Sequence, residues 1–352
     1  MKLASIRLKS SGQVTVAAVV DGGFLDLHAA SAGELPSRMI EFLEAGPVAM
    51  ARARELAGAS SGPILGEGQV ELLSPVPKPG KIMHTSCNFS AHLKELTTWQ
   101  APEWQSHNWG EFHFEHPTGF LEAPSSVVGH NARVEVPHFT KQLDYEIEVG
   151  IIIGREAFRV RKEEALDYVA GLTIFNDLSA RDIQAREHAN KVILLGKSFN
   201  GSCPLGPHLV TLDEIGDPDD LKMVLTLNGE QRQSSSTANM VYKVADLVAW
   251  WSNTTLQPGD VITTGSPPGV QCSEACSATG PLRPRWVNSR FSAWRLRPQV
   301  IAASRLTPAS SPNTSRSAFA KTSGTSAGRG GSTARPNCRA KSWPSPLAPS
   351  LG

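Results

Sequence analysis

Long apolar runs, cysteine and leader-like segments are missing or scarce in this sequence. No stretch approaches the roughly 20 apolar residues of a membrane-spanning helix, and residues 1–12 lack the apolar core of a secretory signal. Only five cysteines occur in 352 residues, so no disulfide framework is predicted. Cys272 and Cys276 lack a second ligand pair at zinc-finger spacing. We therefore expect a cytoplasmic protein that does not enter a membrane.

Acidic residues are nearly absent from the last part of the chain. Residues 271–352 contain ten Arg, two Lys, one Glu and no Asp, a net charge of +11, whereas the whole chain carries +1. This Arg/Ser/Pro/Ala-rich stretch starts abruptly after Val270 and predicts a disordered basic tail without a core. Our hypothesis is that a shifted reading frame produced it. The alternative is a genuine basic appendage, the part of the chain through which nucleic acid could be bound.

The rest of the sequence is typical of a folded α+β protein rich in strands. Hydrophobic residues make up 40% and charged residues 19% of the chain. Residues 1–75 alternate short strand-like and helix-like segments and predict a small N-terminal α+β domain. A Pro-rich connector then leads into a second, β-rich domain at residues 80–270. Within that domain, Asn228-Gly229 between two alternating segments predicts a hairpin.

Three carboxylates stand at alternate positions just before an apolar run. Asp144, Glu146 and Glu148 precede the run 149–153, and period-two alternation would place all three on one strand face. Like charges on one face repel each other, and a divalent cation could supply the countercharge. The alternative is a solvated face on an edge strand.

Two further charged residues follow apolar segments that we predict to be buried strands. Asp177 ends the segment 170–176, and Lys197 follows the segment 192–195. An acid at a strand end is a common position for a functional group, although Asp177 could equally be a turn residue. A lysine emerging beside acids could polarise a substrate oxygen, although most lysines are solvated. Between them, Ser179–Asp182 predicts a capping-box start to a helix.

A histidine and a glutamate share one face of a predicted short helix capped by Ser90. His92 and Glu95 are three residues apart, so the carboxylate could orient the imidazole as a general base. The alternative is an ordinary solvated helix face. Further along, residues 264–270 predict a tight loop whose hydroxyls and amides could hold a carboxylate. The Trp- and His-rich residues 97–116 predict a lid or binding loop.

Together these motifs resemble the fumarylacetoacetate hydrolase family over residues 81–270. The resemblance rests on five motifs in order: Asn88-Phe89-Ser90-Ala91-His92-x-x-Glu95, Leu143-Asp144-Tyr145-Glu146-Ile147-Glu148, Asn176-Asp177-x-Ser179-Ala180-Arg181-Asp182, Gly196-Lys197-Ser198-Phe199 and Thr264-Gly265-Ser266-Pro267-Pro268-Gly269. It implies a mixed β-roll and a homodimer that acts on a small oxo acid. It also implies Mg²⁺ (or Mn²⁺ or Ca²⁺) held by Glu146, Glu148 and Asp177, with Asp144 as a neighbour of the metal.

The resemblance also implies the roles of the remaining site residues. His92 and Glu95 would activate water, while Lys197 and the metal hold substrate oxygens. The residues expected to contact substrate are Arg181, Asp182, Thr264 and Gly265. The function this implies is hydrolysis of a carbon–carbon bond in an acylpyruvate-like diketo acid through an enolate. Isomerisation or decarboxylation of hydroxymuconate-like dioates, or a lyase reaction, is the first alternative, and an inactive or scaffold protein is the second.

One position departs from the family's pattern inside the matching region. Many relatives carry a lysine where this chain has Glu122. The departure would remove or invert a positive contact to an acidic substrate. The closing strands that the family has after residue 270 are likewise replaced by the basic tail.

Overall fold

A computed structural model describes residues 1–99, Trp104, residues 114–270 and the backbone of 301–302. The described strands are β1 Lys2–Leu8, β2 Val14–Val20, β3 Gly23–Asp26, β4 Ile64–Leu65, β5 Val70–Leu72, β6 Ile82–Ser86, β7 Thr118–Glu122, β8 Val127–Val128, β9 Leu143–Asp144, β10 Ile147–Ile153, β11 Val169–Asn176, β12 Ser179–Ala180, β13 Cys203–Pro204, β14 Leu209–Val210, β15 Lys222–Leu227, β16 Glu230–Ser236, β17 Val261–Thr263 and β18 Ile301–Ala302.

Helices are short and connect these strands. The described α-helices are α1 Leu27–Ala30, α2 Met39–Glu44, α3 Gly46–Ala59, α4 Ser90–Leu96, α5 Arg181–Ala189, α6 Leu212–Ile215 and α7 Val244–Trp251. Single-turn or slightly longer 3₁₀ segments are Glu67–Gln69, Pro124–Ser126, Lys162–Tyr168 and Thr237–Asn239. No helix in the described ranges is long and apolar enough to span a bilayer.

One large mixed sheet organises the described residues. Its strands follow the order β4-β3-β2-β1-β14-β11-β10-β17-β6-β7, and β5 pairs with β1 as an eleventh strand. Most neighbours are antiparallel, but β17 and β6 are parallel. The strands of residues 1–75 join those of residues 80–270 because Lys2 of β1 pairs with Val210 of β14. The α+β, strand-dominated fold class predicted from the sequence is confirmed, whereas the predicted domain boundaries stay predictions.

Strand β10 lies at the centre of this sheet and is buried along its whole length. It pairs antiparallel with β11 on one side and with β17 on the other. Val149 and Ile151 belong to the hydrophobic core on one face, and Ile152 belongs to the core on the other. A strand covered on both faces is expected to be continuously apolar, which explains the run 149–153. Glu148 is therefore a buried charged residue near the start of a strand that is otherwise apolar.

The predicted hairpin is present, and its turn residues explain why. Strands β15 and β16 pair antiparallel around Asn228 and Gly229, whose φ angles are 53° and 88°. Two consecutive positive φ values match the tight turns that follow the right-handed strand twist. The backbone of β18 pairs parallel with β15.

Three local predictions are wrong. Residues 192–195 form no strand, and the side chains of Val192, Leu194 and Leu195 are exposed. Their apolar sequence is therefore not a core strand. Helix α5 starts without a capping box: its N-cap is Ala180, and the Ser179 hydroxyl donates to a backbone carbonyl. Helix α4 begins at Ser90 itself, so the N-cap position falls on the preceding residue and has no side-chain cap.

Two predicted segments lie largely outside the described residues. The basic tail at residues 271–352 lies outside them except for the backbone of β18. Residues 100–103 and 105–113 of the predicted lid also lie outside them. The homodimer likewise stays a prediction.

Candidate metal centre and active site

Four buried side chains from three parts of the chain converge at one end of β10. They are His84, Glu146, Glu148 and Asp177, and one ligand atom from each lies within 4.8 Å of all the others. Each of the four is less than 5% exposed. The three carboxylates are the ones that the resemblance implied as metal ligands. His84 was not among the sequence candidates.

Pairing between β10 and β11 brings the three carboxylates together. Ile147 is opposite Asn176 in the sheet, so the residue after β11, Asp177, lies beside the residue before β10, Glu146. The backbone closes this junction, because the Asp177 N–H donates to the Glu146 carbonyl over 2.9 Å. The Asn176 side-chain oxygen accepts from the Glu146 N–H at 3.0 Å. Glu148 then reaches the same point from within β10.

Asp144 is separated from this group by a break in the strand. The single strand expected from alternation is divided into β9 and β10, with Tyr145 and Glu146 between them. Asp144 lies on β9 opposite Ser179, and its Oδ2 accepts from Arg181 Nε at 2.8 Å. Asp144 therefore orients Arg181 at the edge of the carboxylate group, in agreement with its expected place as a neighbour.

Two buried cations neutralise part of this negative charge. Lys197 Nζ donates to Glu146 Oε2 over 2.9 Å and to Asp177, while Arg181 Nη2 donates to Glu146 Oε1 over 2.5 Å. Burial opposes ionisation, yet Arg181 and Lys197 together hold the pKa of Glu146 below its usual value. Against the same burial, Lys197 and His84 hold the pKa of Asp177 far below its usual value. Both carboxylates are thus kept ionised.

The backbone structure that places Lys197 in the site differs from the predicted one. It does not end a buried strand; instead, the backbone returns to the sheet just before it, where the Ala180 N–H donates to the Gly196 carbonyl over 2.8 Å. The lysine is only 2% exposed. Despite burial, the carboxylates of Asp177 and Glu146 raise its pKa above the ordinary value. Lys197 is therefore a cation inside the site.

His84 bridges two of the carboxylates from the neighbouring strand β6. Its Nε2 lies 3.1 Å from Glu148 Oε1 and 2.8 Å from Asp177 Oδ2. Although burial acts in the opposite direction, these two carboxylates raise the pKa of His84 well above its usual value. The ring stacks on Phe120 of β7 with centroids 4.4 Å apart. The sequence offers one weak signal, a histidine in a strand just before the Asn88–Glu95 motif, but that signal does not indicate which residues lie beside the ring.

Glu122 is buried beside the group without a full set of partners. Cys203 Sγ lies 3.5 Å from Glu122 Oε2, while Glu122 Oε1 has no hydrogen-bond partner in the described residues. Burial, aided by the charge of Asp177, raises the pKa of Glu122 well above its usual value. The departure noted in the sequence thus places a carboxyl group, rather than a cation, next to the cluster.

The donor set fits a hard divalent cation. Oxygen ligands from several carboxylates are what Mg²⁺, Mn²⁺ and Ca²⁺ prefer. Asp177 Oδ1 is buried without a hydrogen-bond partner among the described residues. The carboxylates of Asp144, Glu146, Glu148 and Asp177 outnumber the two permanent cations beside them. The raised pKa of His84 favours a third positive charge, and burial raises the pKa of Glu148. A divalent cation would supply the remaining countercharge, so the four converging residues could hold a metal ion.

The predicted general base, His92, and its partner Glu95 lie next to this cluster. His92 Nδ1 lies 2.9 Å from Glu95 Oε2 on α4, so the two residues share a helix face as expected. His92 Nε2 lies 4.0 Å from Glu146 Oε1. A carboxylate on one ring nitrogen fixes the tautomer that leaves the other nitrogen as acceptor. The free end of the imidazole therefore faces the cluster.

One cavity connects the base and the cluster. It has a volume of about 580 Å³, which is the size of a small-ligand pocket. Its lining includes His84, His92, Glu146, Arg181, Lys197 and Gly265 from the site, and Trp99, Trp104, Phe114, Phe120, Gln184, His188, Lys191 and Ser266 around it. Trp99, Trp104 and Phe114 belong to the predicted lid or binding loop and Ser266 to the predicted carboxylate-holding loop, whereas Phe120, Gln184, His188 and Lys191 were not among the predicted site residues. They lie on separate elements that only the fold brings together.

The loop after β17 holds a carboxylate of the protein itself. The Gly265 N–H donates to Glu148 Oε2 over 2.9 Å, and Thr264 Oγ1 accepts from the Val149 N–H over 3.0 Å. Gly265 has a φ of +80°, and a Cβ there would lie 2.9 Å from the Thr85 carbonyl oxygen. Gly265 lines the cavity, whereas Thr264 does not. The loop thus orients Glu148 instead of presenting all its polar groups to a substrate.

Asp182 is not brought to the cavity. Its carboxylate accepts from the Thr140 hydroxyl over 2.5 Å and from the Lys141 N–H over 3.1 Å. It therefore fastens the segment before β9 to the start of α5. The substrate contact expected for Asp182 stays a prediction; in the structure its carboxylate contacts that segment and does not line the cavity.

Comparison with known proteins identifies similar chains. The model of the fumarylacetoacetate (FAA) hydrolase C-terminal family matches residues 81–297. The oxaloacetate tautomerase Fahd2a, mitochondrial, of Rattus norvegicus is 39% identical over 252 residues, which are 71% of this chain and 75% of the relative. A fumarylacetoacetate hydrolase structure from Exiguobacterium antarcticum is 33% identical, covers 77% of this chain and 88% of its own, and has a TM-score of 0.62.

A further solved structure contains a metal ion. The maleylpyruvate hydrolase from Sphingobium sp. SYK-6, in complex with manganese(II) and pyruvate, is 25% identical to this chain. The match covers 86% of this chain and 99% of that chain, with a TM-score of 0.62.

Proposed function

Because the chain belongs to the fumarylacetoacetate hydrolase family, we propose that it is a divalent-metal-dependent tautomerase of a 2-oxo dicarboxylic acid. The observation that carries this proposal is the position of His92, whose Nε2 lies 4.0 Å from a carboxylate of the cluster. Keto–enol interconversion requires a base near the reacting carbon and stabilisation of the enolate oxygen. Both requirements are met by groups that line one cavity.

In this proposal, His92 removes a proton from the carbon next to the 2-oxo group, and the enolate oxygen takes up a proton from solvent to give the enol. In the reverse direction the enol oxygen loses its proton to solvent and His92 returns a proton to the carbon. Glu95 holds the imidazole in the required tautomer. Lys197 is a buried cation at the cluster that favours negative charge on a substrate oxygen. A divalent cation bound by Glu146, Glu148 and Asp177 would supply further stabilisation of the enolate.

The cavity supports a substrate with a second carboxylate. Lys191 follows α5 and lines the cavity, so its ammonium can pair with an acid group at the end of the substrate away from the cluster. Aromatic side chains, including Phe114 and Phe120, line the same cavity. The rat relative named an oxaloacetate tautomerase supports the same substrate class.

Hydrolysis of a carbon–carbon bond in an acylpyruvate-like acid is the second candidate. The His92–Glu95 pair favours it, since the same base could remove a proton from water. The relative named a maleylpyruvate hydrolase also supports this reaction class. Isomerisation or decarboxylation of hydroxymuconate-like dioates would use the same enolate chemistry.

A direct assay separates these reactions. The purified full chain, with Mn²⁺ or Mg²⁺, is given enol oxaloacetate, and the loss of enol absorbance is followed beside the spontaneous rate. Acylpyruvates and muconate-type dioates are tested in parallel, each with and without chelator. Chelator-sensitive acceleration of tautomerisation supports the proposal. Cleavage of acylpyruvate without any tautomerase activity would establish the second candidate instead.

Variants of the base provide an independent readout. We expect His92→Asn to lower kcat by about 10²-fold or more, because general bases contribute on the order of 10²–10⁴. Glu95→Gln should have a smaller effect, since it removes only the orienting charge. His138→Asn is the matched control, because His138 is exposed and does not line the cavity. Unchanged tautomerase activity in His92→Asn would refute the assigned role.

A further inference from the structure

We propose that His84 is a fourth ligand of the cation, so that the centre contains one nitrogen donor and selects Mn²⁺ or Fe²⁺ over Mg²⁺. This inference rests on the metal dependence in the proposed function. The three carboxylates were expected as ligands from the sequence, whereas the imidazole comes from a separate strand, β6. A nitrogen ligand would change which metal the site prefers.

The distances around His84 are those of neighbouring ligands. Its Nε2 lies 2.8 Å from Asp177 Oδ2 and 3.1 Å from Glu148 Oε1. In an octahedral site with metal–ligand bonds of about 2.1 Å, adjacent donor atoms are separated by roughly 3 Å. One donor atom of Glu146 is within 4.8 Å of the same group. The four atoms therefore lie close enough together to be ligands of one ion.

The fold holds the imidazole in this orientation. The ring stacks on Phe120 at an interplanar angle of 20°, and β6 is fixed between β17 and β7. Glu148, which His84 contacts, is held from its other oxygen by the Gly265 N–H. The nitrogen and its carboxylate neighbours are thus positioned before an ion binds, by ring stacking and sheet packing, while His84 Nδ1 has no hydrogen-bond partner in the described residues.

A nitrogen donor has consequences for metal choice. Carboxylate sites suit Mg²⁺, Ca²⁺ and Mn²⁺, whereas imidazole suits transition metals. A set of three carboxylates and one imidazole therefore combines the two preferences in Mn²⁺ or Fe²⁺. The competing interpretation is that His84 only pairs with Glu148 and Asp177 through hydrogen bonds. In that case the bound ion would have oxygen ligands alone.

Pulsed EPR of the Mn²⁺-loaded protein distinguishes the two interpretations. Nitrogen bound directly to Mn²⁺ gives a strong ¹⁴N modulation of the electron spin echo. We expect that modulation in the wild-type protein, its replacement by a ¹⁵N pattern after labelling with [¹⁵N]histidine, and its loss in His84→Gln. Absence of directly bound nitrogen in the wild type would overturn the proposal.

A second histidine serves as the control for the nitrogen source. His92 also lines the cavity, but its Nε2 lies 4.0 Å from Glu146 and it is outside the converging set. In His92→Gln the modulation should persist; its loss there would assign the nitrogen to His92 and refute the role of His84. If His84→Gln does not fold, the labelled His92→Gln protein still decides between the two.

Metal selectivity gives a measurement independent of spectroscopy. Calorimetric titration of the metal-free protein with Mn²⁺ and with Mg²⁺ yields the ratio of the two dissociation constants. We expect His84→Gln to reduce the preference for Mn²⁺ by about tenfold, in the range known for groups that support metal sites. An unchanged ratio would contradict ligation. Neither experiment requires turnover, so failure of the tautomerase assay would leave this result standing.

Discussion

The backbone N–H of Gly269 donates a hydrogen bond to Glu95 Oε1 over 3.0 Å. The same carboxylate uses its other oxygen to contact His92 Nδ1. The loop after β17 therefore reaches α4, although 174 residues separate the two partners. Through Gly265 it also holds Glu148. One short loop thus positions both the base and a ligand of the candidate metal centre.

Replacement of Gly269 by alanine should impair this link. Gly269 has a φ of +104°, and an added Cβ would lie 2.4 Å from the Arg232 carbonyl oxygen, so the loop must shift and its hydrogen bond to Glu95 is disturbed. We expect Gly269→Ala to lower kcat about tenfold and to lower the melting temperature. The rate is measured in the tautomerase assay.

The matched control separates backbone strain from the lost contact. Gly216 has a φ of +80° and a ψ of −116°, with nothing within 4 Å of an added Cβ, so Gly216→Ala carries only backbone strain, about 1–3 kcal/mol for a sparsely populated conformation. It should reduce stability without altering kcat. Equal losses of kcat in the two variants would show that the Glu95 contact has no catalytic importance.

Metal binding should stabilise the protein through Glu148. A ligand that binds only the folded state adds about 2.7 kcal/mol at one hundred times its Kd, so Mn²⁺ should raise the melting temperature and EDTA should reverse the rise. Glu148→Gln preserves the side-chain shape but removes the charge, and the rise should disappear. Differential scanning fluorimetry provides the measurement. Glu156→Gln, an exposed change at a carboxylate that contacts Gln257, should respond like the wild type; a shift that persists in Glu148→Gln would contradict the assigned centre.

The carboxylate part of the site could be predicted because its pattern is local. Glu146 and Glu148 precede an apolar strand, and Asp177 ends another; antiparallel pairing of those two strands then brings the three acids together. His84 could not be predicted in the same way. Its position depends on the neighbours β17 and β7 across the sheet, and nothing in the sequence around β6 specifies that order.

For two other candidate residues, Lys197 and Asp182, the surroundings in the structure differ from those expected from the sequence. Lys197 is a buried cation as expected, yet the apolar residues before it are exposed, so its burial comes from the turn that pairs with Ala180. Asp182 follows Arg181 directly, but adjacent helical positions point about 100° apart. Arg181 therefore faces the carboxylates, while Asp182 faces Thr140. The sequence indicates the helical spacing of α5, but it does not indicate which face of that helix lies against the cavity.

Lys191 should affect substrate binding more than turnover. It lines the cavity and is exposed, and an exposed ion pair contributes about 0.2–1 kcal/mol. We expect Lys191→Gln to raise KM for a 2-oxo dicarboxylate by about two- to fivefold with little change in kcat. A monocarboxylate analogue should be unaffected. Lys222→Gln, an exposed change on β15, is the control; equal KM changes for both substrates would refute pairing with a second carboxylate.

Stability should fall in mild acid because of His208, a residue outside the converging set of the metal centre. Burial, with smaller effects of Lys2 and His130, lowers the pKa of His208 to about 4, and neither ring nitrogen has a hydrogen-bond partner within the described residues. Below a pH of about 6.5, the unfolded chain binds a proton at this histidine that the folded chain does not. The stability present above pH 6.5 is therefore lost progressively as the pH falls towards 4, by up to about 3 kcal/mol.

The variant His208→Gln removes this titration and should show a flatter dependence of stability on pH. Denaturant unfolding of wild type and variant at pH 7.5 and pH 5 provides the comparison, and the difference between them should favour the variant more at pH 5. His138→Gln changes an exposed histidine and should retain the wild-type slope. A slope in His208→Gln equal to that of the wild type would mean that His208 accepts its proton equally well in both states.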